Sequence, residues 1–595
     1  MTACRARTFA IAGALLALAP AAIAQTNAPL LRPPPVRLEA PPAAAPAPAR
    51  QAPAGIEVET ARPLDPAALG LIDTAQNGFA GDAWAQSSRP LVERLIRDLP
   101  GPLSSQPLRE LGWRALASAS AAPLAADGAK AENSFAALRA QRLRALGDLA
   151  SAAEFARRIP ERTADPALVR ILIDEAWLAK ADERACALVR EALAREAGAR
   201  GRDLSLQKAL MFCQALAGDG DRAQLGLAML RDQGAPEDPA FVTLLLAVGG
   251  DGRGVRVDTQ RNADALSFAM LRAAKVAPPA DAAQSNDPAI LAAFAHGDLG
   301  TPEFRLAAAE RAEAFGALKA AALGELYRAL ELTPAQMADP AAFARSDGGP
   351  RGRAALFKAA AAAPIGPARL AALQALWNHG RERGGYATLA RASAGLLGEI
   401  QASPEYISGA ADAARALLMA GARDQAAPWI RLVRAAQIGG AESAANAAAR
   451  MWFLATLAGI ENAEARSPAR LAAWRQAIES FDARTAAPRA ALGVALLSGL
   501  GHLPGGGAYL AMPSGAMERQ PVVLPHPALA TALHEAGIGG RAAECALLVL
   551  HMLGTDGAAG APPAVLLAVL DGLRAVGLEE TARLLALEAA IASGL

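Results

Sequence analysis

Beyond Cys4, the chain carries three cysteines, Cys186, Cys213 and Cys545. A thiol can bridge, ligate a metal or attack an electrophile, and its spacing and neighbours decide which. Cys186 sits in Ala185-Cys186-Ala187-Leu188-Val189, and Cys213 ends Leu210-Met211-Phe212-Cys213. Midway between them, Ala197-Gly198-Ala199-Arg200-Gly201 reads as a hairpin loop, so residues equidistant from it lie at the same height on facing helices. Both cysteines also fall on their helix's apolar stripe (Cys186, Val189, Leu193; Leu206, Leu210, Cys213). This placement predicts a Cys186–Cys213 disulfide in an oxidising compartment. The alternative is two buried free thiols, because Cys also serves as a small core residue. Cys545 has no partner at comparable spacing and reads as core.

The other reactive types offer less. Of six histidines, only His526, His534 and His551 share a region, and no Cys or carboxylate stands beside them at metal-ligand spacing. Neither a metal nor a cofactor is expected. No nucleophile elbow, His-Glu-x-x-His helix, phosphate loop or dinucleotide fingerprint occurs. Val248-Gly249-Gly250-Asp251-Gly252-Arg253-Gly254 could cradle an anion, but such clusters are far more often plain turns. A longer insertion, 499–527, contains Gly505, Gly506, Gly507, Tyr509, Met512 and Met517. An apolar Gly/Pro-rich loop of that length is uncommon unless it has a function, and Met and Tyr suit adaptable contacts. It is the expected partner-binding element; the alternative is a strap over an inner groove.

The elements that must position these groups begin with a leader. Arg5 and Arg7 precede an apolar run from Phe9 to Ala19, then Pro20 and Ala22-Ile23-Ala24 before Gln25. This is the pattern of a secretory signal peptide cut between Ala24 and Gln25, too short to span a bilayer. The expected address is therefore the periplasm. Residues 25–66 follow, rich in Pro and Ala, with Pro33-Pro34-Pro35 and Pro41-Pro42. Such a stretch favours an extended conformer and reads as a disordered spacer or a tether.

From residue 67 the text is helical. Hydrophobic residues make up 53% of the chain and aromatics only 4%, with Ala and Leu, the best helix formers, dominating. Leu566, Val569, Leu570, Leu573 and Val576 trace one amphipathic stripe. Pro166, Pro302, Pro334, Pro468 and Pro527 mark helix starts, with Asp165 and Thr301 as caps. A Gly closing one helix is followed five residues later by Ala in the next at Gly147/Ala152, Gly218/Ala223, Gly421/Ala426, Gly537/Ala542 and Gly577/Ala582, with Lys180/Ala185 as a variant. A left-handed Gly ends the first helix and a small residue lets the second pack closely. Apolar Val189, Leu227 and Ile430 stand four residues after their Ala.

Turn spacing from 147 to 180, 180 to 218 and 537 to 577 fits a two-helix unit and resembles the tetratricopeptide and Sel1-like repeats. The aromatic and terminal Pro of that consensus are mostly missing. The resemblance implies an all-α solenoid of stacked antiparallel hairpins, 67–498, continued after the 499–527 loop by closing hairpins in 528–595. The chain is also similar to exported bacterial helical proteins labelled antifreeze glycopeptide polyprotein, but it lacks the flat Thr array that ice binding requires. Late in the solenoid, Ile478-Glu479-Ser480-Phe481 resembles the Glu-Ser pair of soluble lytic transglycosylases, which implies Glu479 as a general acid. That family's Gly-Leu-Met-Gln element is replaced by Ala491-Leu492-Gly493-Val494-Ala495, and four Tyr in the whole chain cannot furnish its sugar groove.

Charge narrows the partners. The 59 basic and 58 acidic residues nearly cancel, and loss of Arg5 and Arg7 with the leader tips the balance to −1. No basic block suits nucleic acid or an anionic membrane. The segment from Ala564 to Leu578 carries Asp571 and Arg574 and is too short to span a bilayer. The expected role is a non-catalytic scaffold for a protein or peptide partner in the cell envelope. The alternative is a murein-acting enzyme.

Overall fold

The computed structural model describes residues 68–84, 86–124, 134–159, 165–196, 203–248, 254–437, 442–460, 467–503 and 524–595. The leader with Ala24 and Gln25, the Pro/Ala segment, residues 249–253 and the heart of the long insertion, including Gly505, Gly506, Gly507, Tyr509, Met512 and Met517, lie outside them. Among the described residues there are 27 α-helices and no strand. No described helix is long and apolar enough to cross a membrane.

Local chemistry sets the helix starts. Helices begin at each of the five named prolines, where a missing N–H costs nothing. The Asp165 carboxylate accepts from the Ala167 N–H at 2.9 Å, and Thr301 Oγ1 accepts from the Phe304 N–H at 3.2 Å. Each satisfies a donor the helix cannot.

The turns repeat one device. Gly147, Lys180, Gly218, Gly421 and Gly577 have φ of 98°, 60°, 84°, 75° and 76°, the left-handed region. At Gly218 its own N–H donates to Ala215 O and the Asp219 N–H to Gln214 O, a Schellman closure, and the same two bonds recur at the other four. Five residues on, Ala152, Ala185, Ala223, Ala426 and Ala582 are all buried. The turn expected at Gly537 is displaced. Gly537 is buried inside the helix Pro527–Ile538, and the left-handed residue is Gly540, with φ 65°. Counting five from Gly540 reaches Cys545, which is fully buried. The thiol thus fills the place that Ala holds elsewhere.

Successive helices pack as neighbours along the chain, and one feature exceeds a simple stack: its ends meet. The helix Ala542–Leu553 lies against both Arg89–Arg97 and Gln106–Ala117, and Gln106–Ala117 also touches Glu579–Ala592. Polar contacts tie the seam. Ser105 Oγ donates to Glu588 Oε2 at 2.6 Å, Ser104 Oγ to Thr555 O at 3.0 Å, and the His551 Nε2–H to Leu95 O at 2.9 Å. Residues 545–550 are all buried, because this helix has neighbours on every side. The C-terminal helix Glu579–Ala592 further packs on Ile407–Met419 and Glu442–Leu457, linking the seam to the middle of the stack.

Candidate functional site

The expected chemistry is scattered. Cys186 and Cys213 are joined in a disulfide with Cα atoms 5.6 Å apart, tying the helices Asp182–Glu196 and Leu204–Leu216. Cys545 is a free thiol, pushed up to about 12 by burial and then by the charge of Glu544, far from a reactive thiolate. His526 caps its helix, Nδ1 accepting from the Ala528 N–H; His534 is exposed; His551 sits in the seam. No group of three potential metal ligands converges among the described residues. Glu479 is exposed near the end of the helix Pro468–Phe481 and lines neither of the two cavities described below.

What the structure does bring together is a row of arginines. Arg381, Arg415, Arg450 and Arg489 belong to the helices Pro367–Arg383, Ile407–Met419, Glu442–Leu457 and Ala483–Gly499. Every second helix contributes one, and the positions recur after 34, 35 and 39 residues, one hairpin each. All four line a single cavity of about 970 Å³. Its lining holds one carboxylate, Asp412, so four cations against one anion leave it at +3.

Few of these guanidiniums are neutralised. Arg381 Nη2 donates to Asp412 Oδ1 at 2.8 Å, and Gln374 donates to the other carboxylate oxygen, so Asp412 is already engaged. Arg489 donates from Nε to Ser593 O at 3.1 Å, with Nη1 3.9 Å from Asp482 at the edge. Arg450 lies over the Phe481 ring, 4.4 Å from its centre, and its buried Nε finds no acceptor. Among the described residues neither Arg415 nor Arg450 forms an ion pair; the only salt bridges of the row are those of Arg381 and Arg489. Both are held below the ordinary arginine value. Burial is the main cause for each, and for Arg450 the charges of Arg415 and Arg489 add to it. Tyr386, against Arg381, keeps a buried hydroxyl without a well-formed hydrogen bond, and burial raises its pKa.

The walls fix these side chains. The turn between Pro367–Arg383 and Tyr386–Gly398 is only Gly384-Gly385, both left-handed at φ 89° and 86°. Two consecutive left-handed residues demand Gly, and the tight reversal sets Tyr386 against Arg381. Ile407, Ala436, Ala447 and Ile591 supply apolar lining, and the chain's last turn, Ile591–Gly594, forms one wall.

A second cavity of about 910 Å³ lies beside the seam, lined by Arg109, Trp113, His296, Glu313, Lys319 and Arg391 among others. There the lining comes closer to neutrality. Arg391 forms a two-pronged pair with Glu313, at 2.6 and 2.9 Å. Arg109 Nη1 donates to the carbonyls of Leu103, Ser104 and Ala314. Burial, with Arg391 nearby, lowers Arg109 to about 10.

The arginine row has a signal in the sequence, its hairpin-length recurrence, but arginines at such spacing are also common on solvated helix faces. The seam had none, since Ser105 and Glu588 stand 483 residues apart. Comparison with protein-family models, with curated proteins and with solved structures finds no match.

Proposed function

We propose that this chain is an exported helical-repeat protein of the cell envelope that holds a partner rather than transforming it. The observation that carries the reading is the shared cavity to which four successive hairpins each hand one arginine. A guanidinium binds anions through a planar fork of donors but does not exchange protons near neutral pH, so this lining is built to hold and not to catalyse acid–base steps. The leader pattern and the Cys186–Cys213 bridge both suit an oxidising compartment. Repeat stacks of this type commonly serve as binding surfaces.

The test is retention against turnover. The chain from Gln25, incubated with envelope extract and with murein, should retain an envelope component and release no product detectable by mass spectrometry. Release of muropeptides that disappears in Glu479→Gln would overturn the reading in favour of a murein-acting enzyme.

A further inference from the structure

We propose that the arginine-lined cavity is a site for a small organic anion bearing two or more carboxylate or phosphate groups. The inference rests on the reading of the cavity as the place where the chain holds its ligand, and adds the ligand's class.

Size excludes a folded partner: about 970 Å³ is the scale of a small-molecule site. Charge sets the sign, for the lining carries +3 with Asp412 already held by Arg381 and Gln374. Multivalency follows from the row itself. Arg415 and Arg450 stand on neighbouring hairpins, neither forming an ion pair among the described residues, and the charges of Arg415 and Arg489 lower the proton affinity of Arg450. With Asp412 as its one counter-charge, the empty cavity carries positive charge in excess, and one acidic group cannot span guanidiniums set on four separate helices. An anion with separated acidic groups supplies the missing negative charge and accepts from the guanidiniums that line the cavity. The carbon skeleton of such a ligand has a surface to meet in Ile407, Ala447, Ile591 and the Phe481 ring. Guanidinium is the group of choice for both carboxylate and phosphate, so the oxyanion pattern is shared, and the probes below separate the two sources.

The experiment is isothermal titration calorimetry on the chain from Gln25 at fixed ionic strength. The probes are citrate, fructose 1,6-bisphosphate and, as a monovalent control, acetate. Citrate or the bisphosphate should bind and acetate should not, and whichever of the first two is tighter assigns the chemistry. Arg415→Gln and Arg450→Gln should each weaken binding by about tenfold or more, as the loss of a charge-assisted hydrogen bond does. Arg94→Gln, at an exposed arginine outside the cavity, should leave it unchanged. Circular dichroism melts confirm that each variant is folded. The proposal is overturned if neither multivalent probe binds, if the cavity variants bind as well as Arg94→Gln, or if only an acidic peptide binds. Turnover of a bound anion would instead sink the non-catalytic reading and leave the site assignment standing.

Discussion

The two large cavities are nearly equal in volume, about 910 and 970 Å³, and both are lined by arginines, yet they treat charge in opposite ways. Beside the seam, four cations (Arg109, Lys180, Lys319, Arg391) face three anions (Glu110, Asp148, Glu313), a balance of +1. Its guanidiniums are tied to Glu313 and to backbone carbonyls. Under the hairpins of 367–499 the balance is +3, and among the described residues two of the four guanidiniums form no ion pair. A charge that is paired internally holds the protein together; a charge left unpaired at some cost is kept for something else. By that contrast the seam cavity reads as a structural joint and the arginine cavity as the proposed binding site.

The largest effects should come from breaking the joint. Glu313→Ala strands Arg391, whose side chain is 10% exposed, and should cost about 3–5 kcal/mol in chemical denaturation. A loss below about 1 kcal/mol would mean that the pair is no keystone and that the contrast with the other cavity is false. Ser105→Ala removes both the cap that accepts from the Leu108 N–H and the bond to Glu588 across the seam. Its expected cost is about 1–3 kcal/mol, from one cap and one bond to a buried carboxylate. A change within about 0.5 kcal/mol would show that apolar packing alone joins the ends. The double variant Arg415→Gln/Arg450→Gln should do far less, changing stability by no more than about 1 kcal/mol. No ion pair is lost among the described residues, and the repulsion relieved is offset by the lost attraction to Asp412 and the lost Arg450 contact with Phe481. A clear loss of stability would make those arginines structural and erase the distinction.

Much of the repeat chemistry was legible, because it is local. A left-handed residue and a small one five positions later are fixed by one turn and the packing beside it, and five of six turns could be placed from that alone. The sixth failed for a definable reason: Gly537-Ile538-Gly539-Gly540 offers three glycines, and the left-handed one is Gly540, because the helix carries on through Ile538. Cys545 then marks the equivalent of the small Ala, a substitution that an Ala-based pattern overlooks. The Cys186–Cys213 bridge was accessible because a hairpin converts sequence symmetry into proximity. The seam is a different matter. The helix Ala542–Leu553 is apolar apart from Glu544 and His551, which calls for neighbours around it but does not point to a residue 456 positions earlier. The arginine row lay between. Its spacing was readable, but only the stack shows that every second helix turns the same face to one cavity.

The smallest predicted effect tests the joint through pH. Glu588 is buried in the seam, and burial, against the opposing Ser105 bond and the charge of Arg109, raises its pKa above the ordinary carboxylate value. Below that raised value, and down to the ordinary range, the folded chain holds a proton that the unfolded chain has lost. Stability contributed by this group therefore grows as pH falls through that window and is lost again as pH rises towards neutrality. Glu588→Gln is neutral at every pH and still accepts from Ser105. It should flatten the dependence of stability on pH just above the ordinary carboxylate range while matching or exceeding the wild type at neutral pH. Arg415 lies in the other cavity, away from Glu588, so Arg415→Gln should keep the wild-type slope. If Glu588→Gln also keeps it, the carboxylate is effectively solvated, and the seam is looser than its 2.6 Å bond to Ser105 implies.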